Sequence, residues 1–188
     1  MRRSWLSCWV AIFLLLPALL PPSSWADQRD GRLDQLFERL KDTDDNADAA
    51  AIQQQIWQIW IEFEDLSINQ LMRRGMTAMS QGDHDDALEA FDHMIDQAPA
   101  FAEAWNKRAT VLYLMGRLDE SVLDIRQTLK LEPRHFGALS GLALIYDALE
   151  EPAAAIRSLE AALTINPHLG GSQERLDQLR EKLKGIKT

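Results

Sequence analysis

Acidic and histidine side chains come first in any search for chemistry, because they supply metal ligands and general acids and bases. Asp42, Asp44, Asn46 and Asp48 alternate like the first half of a calcium loop. Such a loop needs a glycine for its sharp turn and a closing bidentate glutamate, and Ala47 and Gln53 stand in those places. The run is therefore expected to be an acidic connector in which Asp48 or a neighbour caps the next helix. Asp83, His84, Asp85 and Asp86 form a second cluster, at a place where a helix begins and its dipole favours acids. His93, His135 and His168 fall in different parts of the chain, with no spacing that brings them to one metal. No Ser–His–Asp order, glycine-rich phosphate loop or metalloprotease helix motif occurs. The expectation is a chain that is not an enzyme, with no metal site and no cofactor.

What positions its surface is a repeat. Pro99, Pro133 and Pro167 recur at a spacing of 34 residues, a period that marks a helical array. Three blocks align on them, 68–101, 102–135 and 136–169. Their first helices carry Leu71 with Gly75 and Ala78, Trp105 with Ala109 and Leu112, and Leu139 with Ala143 and Tyr146. Gly75, Ala109 and Ala143 are small enough to let paired helices approach closely. The second helices carry Ala87 with Phe91, Ser121 with Ile125, and Ala155 with Leu159, each pair four residues apart on one face. Gly82-Asp83, Gly116 with Asp119, and Glu150-Glu151-Pro152 fill the turns between them. The fold class is all-α.

The first 26 residues read as a secretory signal peptide. Arg2 and Arg3 start it, an apolar stretch runs from Trp5 to Leu20, and Ser24-Trp25-Ala26 gives a small-x-small site before Asp27. The apolar run is short for crossing about 30 Å of hydrocarbon and is broken by prolines. Cleavage takes away the single cysteine, Cys8, which suits an oxidising compartment. It also takes Arg2 and Arg3 from 20 basic residues and none of the 29 acidic ones, so the net charge goes from −9 to −11. A chain this acidic repels nucleic acid and anionic lipid. The expected location is the periplasm, with no membrane association after cleavage.

Residues 27–67 are expected to form an N-terminal hairpin. Leu33, Leu36, Phe37 and Leu40 recur at helical spacing, and Ile52, Ile56, Ile59 and Phe63 stripe a second helix beside Trp57 and Trp60. Counting back one period puts Phe37 in the slot of Leu71, so Leu33–Leu66 reads as a degenerate starting repeat. Residues 170–188 read as a solvating cap helix with a stripe of Leu176, Leu179 and Leu183.

The block residues from Ile68 to Leu169 resemble the tetratricopeptide repeat family. The departures are Arg74 and Arg108 where leucine is expected and Ala109 for glycine. The resemblance implies a right-handed α-solenoid of helix–turn–helix hairpins with a concave groove lined by the first helix of each pair. Its inner slots would fall at Asn69, Met72, Met76 and Met79, at Glu103, Asn106, Thr110 and Tyr113, and at Gly137, Ser140, Leu144 and Asp147. Methionines in a stripe suit a surface that adapts to apolar ligands, and they equally fill packing gaps. Asn106 and Ser140 are placed to bond an extended peptide, and Arg73 and Lys107 flank the groove to meet a carboxylate. The clamp that some members use for a terminal carboxylate is absent, with Met72, Met76, Gly137 and Gly141 in its slots. The resemblance thus implies an interaction module for a protein or peptide partner of the cell envelope. A small-ligand or enzymatic protein and a self-assembling solenoid are the alternatives.

Overall fold

The computed structural model describes residues 30–186, and the expected signal peptide, residues 1–26, lies outside them. The described residues form helices joined by turns, with no strand. They run α1 (Gly31–Asp42), α2 (Asn46–Ile61), α3 (Leu66–Gln81), α4 (His84–Gln97), α5 (Ala102–Leu114), α6 (Leu118–Leu131), α7 (Phe136–Ala148), α8 (Pro152–Ile165) and α9 (Ser172–Ile186). The period survives folding. Second helices start at His84, Leu118 and Pro152, and α5 and α7 start at Ala102 and Phe136.

Each hairpin closes for a local reason. A Cβ on Gly75 would lie 2.6 Å from the Phe91 ring, so only glycine lets α3 seat on α4. Ala109 and Ala143 are buried at the matching places. Gly82 and Gly116 take φ of 76° and 74° to end the first helices, and Glu150 adopts φ 60° one period later. The acidic clusters cap helices. Asp45 accepts from the Ala47 N–H and Asp83 from the Asp86 N–H.

Successive hairpins share apolar clusters. Phe91, Met94, Phe101 and Ala104 join α4 to α5, and Ala109, Ile125, Leu142 and Ile145 join α5 and α6 to α7. Leu176 and Leu179 seal α9 over Ala143, Ala155 and Leu159. Arg108 adds a polar staple between hairpins. It grips Asp124 with two bonds of 2.7 and 2.8 Å and Asp92 of the preceding hairpin at 2.6 Å.

The N-terminal hairpin is placed differently from a first repeat. It makes only marginal contact with α3 and α4. Instead it lies along the row of residues that precede the first helices, Phe101, His135 and Leu169. Phe63 packs on Phe101 with ring centroids 5.0 Å apart, Trp60 stacks on His135 at 4.1 Å, and Leu169 packs against the α1–α2 core. Phe37 meets Phe136 edge-on, and Arg134 lies over Phe37 while bonding Asp34 at 2.6 Å. The physical reason is that α2 carries two apolar faces. Ile52, Ile56 and Ile59 pair it with α1, and the tryptophans bind it to the inter-repeat edge.

Candidate functional site: a cleft between α2, α5 and α7

First helices of consecutive repeats lie side by side, so residues one turn apart on each make a two-sided wall. Asn106, Thr110 and Tyr113 come from α5, and Gly137, Ser140, Gly141 and Leu144 from α7. Trp57 of α2 closes one end. The open cleft has a volume of about 320 Å³, and Ala109, Ile125 and Ile145 add to its apolar lining.

The closed end is built on a buried polar network. Glu103 is 1% exposed. Its carboxylate accepts from Asn106 Nδ2 at 2.9 Å, pairs with Lys107 Nζ at 3.0 Å and meets His135 Nε2 at 2.8 Å. His135 Nδ1 accepts the Ala138 N–H at 3.1 Å and so caps α7. That fixes the ring proton on Nε2, which donates to Glu103. Burial pushes the Glu103 carboxyl up, but Lys107 and the His135 bond outweigh it and hold the group below the usual carboxylate range. Above this network Lys107 Nζ lies 5.5 Å from the Trp57 ring centroid. Trp57 itself rests on Gly137, where a Cβ would come within 2.6 Å of the indole.

Asn106, Lys107, Thr110, Tyr113, Ser140 and Leu144 are therefore brought together. The first block does not join them. Met72 is 5% exposed and belongs to the core with Phe91 and Met94, because Phe63 folds back from α2 and packs against that cluster. Its assignment to the groove is corrected: it fills a packing gap. Met79 is half-buried against the same core, and Met76 is exposed but lies off the cleft. Asn69 donates to the Phe63 carbonyl at 2.6 Å and ties down the α2–α3 link. Arg73 is exposed outside the cleft. Two roles also change within the cleft. Lys107 is committed to Glu103 rather than to an incoming carboxylate, and Asn106 has its amide nitrogen taken by the same group. Glu103, expected on the open face, is buried under α2. Asp147, also placed in an inner slot, is bound by Arg175 and Lys182 of α9.

Sequence reasoning missed Trp57 as a wall and His135 as a cap. The available signal was the surplus of aromatics on α2, two tryptophans beyond the isoleucine stripe that already suffices for a hairpin.

The geometry agrees with the comparisons. The tetratricopeptide repeat profile matches residues 72–127 and 115–169. A tetratricopeptide repeat-containing protein of Rhizobium etli is 38% identical over 157 residues, which cover 84% of this chain and 77% of that protein. The chain belongs to the tetratricopeptide repeat family. Among solved structures, the TPR2B domain of yeast Sti1 in its complex with pHsp70 aligns with a TM-score of 0.58 and 25% identity, over 65% of this chain and 99% of that one. The first TPR domain of Spaghetti (RPAP3), bound to the HSP90 peptide SRMEEVD, gives 0.61 at 19% identity, over 63% and 94%. No described helix is long and apolar enough to cross a membrane.

Proposed function

We propose that this protein is a periplasmic interaction module that holds a peptide segment of a cell-envelope partner in the cleft between α5 and α7. The observation that carries the reading is the cleft itself, formed by the first helices of two consecutive repeats and only partly filled by the chain's own Trp57. The solved Spaghetti domain is bound to an HSP90 peptide and the Sti1 domain is in complex with pHsp70, which supports a protein or peptide ligand. Export rests on residues 1–26, and N-terminal sequencing of protein recovered from the periplasm should begin at Asp27. A full-length chain retained in the membrane fraction contradicts export.

The binding test uses two residues of the cleft wall. Leu144 is 43% exposed, and Tyr113 is half-buried and also packs on the Ala109–Ile125–Leu142 cluster. Leu144→Asp with Tyr113→Ala should abolish capture of the partner while helical content stays intact; Leu144→Asp alone should weaken capture with melting unchanged. The salt dependence of capture should be weak, since the one cation of the wall is already paired. Capture that survives the double variant at matched protein levels removes the cleft from the account.

A further inference from the structure

Three features of the cleft select among peptides. The first is charge. Lys107 is the only charged residue on its wall, and Glu103 neutralises it from below. An incoming carboxylate would meet an ion pair instead of a free cation, and would lose hydration for little return.

The second is shape. Gly137 and Gly141 lie one turn apart on α7. Trp57 already occupies the surface that Gly137 leaves bare, which shows how a planar ring sits on this helix. The next place is open: a Cβ built on Gly141 meets nothing nearer than Ile125 Cδ1 at 3.9 Å. Tyr113, Leu144 and Ile145 give the same cleft apolar lining.

The third is a polar acceptor within reach. Thr110 lines the cleft and is exposed, and its hydroxyl donates to the Asn106 carbonyl at 3.0 Å. Its oxygen lone pairs are then left to accept. A ligand carrying an N–H or O–H on an otherwise apolar group would meet them.

We infer that the cleft receives an uncharged aromatic side chain with a polar edge, a tryptophan or tyrosine of the partner polypeptide, seated on Gly141 beside Trp57. This rests on the groove reading above and names what the groove selects. The partner segment then enters side chain first, and Trp57 sets where it stops. A chain-terminal carboxylate is not the anchor.

The test titrates the isotope-labelled mature chain with blocked five-residue peptides, acetylated and amidated, carrying a central Trp, Tyr, Leu or Glu between alanines. A fifth peptide, Met-Glu-Glu-Val-Asp, has a free carboxylate. The amide signals of Gly141 and Thr110 report binding. The Trp and Tyr peptides should shift them and bind about tenfold or more tighter than the Leu and Glu peptides. Gly141→Leu, whose Cβ has room there and whose branch would fill the seat, should remove that binding with helical content and a cooperative melt retained, and Gly141→Ala should weaken it in part. Equal or better binding of the acidic peptides at the same amides overturns the aromatic anchor and leaves the groove reading standing. Undiminished binding of the Trp peptide to Gly141→Leu overturns the seat. If no peptide moves the cleft amides while the Leu144–Tyr113 variant still captures partner, the groove reading falls and takes this inference with it.

Discussion

Glu103 shows how much one buried carboxylate can organise. It pairs with Lys107 and accepts from the Nε2 of His135, whose Nδ1 caps α7. Replacing it with Gln keeps the oxygen acceptor but strands Lys107, and should cost about 3 kcal/mol at neutral pH. The sign of the pH effect follows from the depressed pKa. The folded carboxyl titrates below its ordinary value of 4.5. The contribution of Glu103 is therefore complete above that value and is lost as the pH falls through the folded pKa. Chemical denaturation of both proteins should show the gap between wild type and Glu103→Gln closing below about pH 4.5. A gap that is constant with pH would mean that the carboxylate is not charged in the fold. At this scale the sequence was partly legible. Spacing put Asn106, Thr110 and Ser140 on one face, because the helical period alone decides that. The same period allows the Glu103–Lys107 pair, four residues apart on α5. It could not say that Glu103 is buried against His135, nor that Met72 is covered, because both depend on residues distant in sequence.

Among the elements, the turns keep the period of the helices. Gly82, Gly116 and Glu150 occupy the same place at successive periods, and all three take the left-handed conformation. For Glu150 that conformation carries a steric cost of about 1–2 kcal/mol, which glycine avoids. Glu150→Gly should therefore raise the melting temperature by about 2–4 °C; an unchanged or lower value would mean that the third turn relaxes in solution. The turn positions and the 34-residue hairpins were readable because glycine, proline and small-residue spacing act locally. The hairpin α1–α2 was readable as two helices but not in its seat. Its apolar stripe fits a first repeat as well as it fits the inter-repeat edge. The choice is made by Trp57 and Trp60 against His135, Phe136 and Gly137, contacts about 80 residues apart in sequence.

At the scale of the whole molecule, three stacked hairpins supply a face, and a fourth hairpin laid across their edge shortens it to a cleft with one closed end. On the proposed function, a partner is held in this cleft. Leu144 and Leu123 make a matched pair for testing it, since both are large exposed leucines, at 43% and 60%, and only Leu144 lines the cleft. A photoreactive phenylalanine analogue placed at each position in turn, in living cells that express the full chain, reads the contact directly. A partner adduct is expected from position 144 and none from position 123 on α6. Adducts from position 123 alone would place the partner on the second helices and not in the cleft.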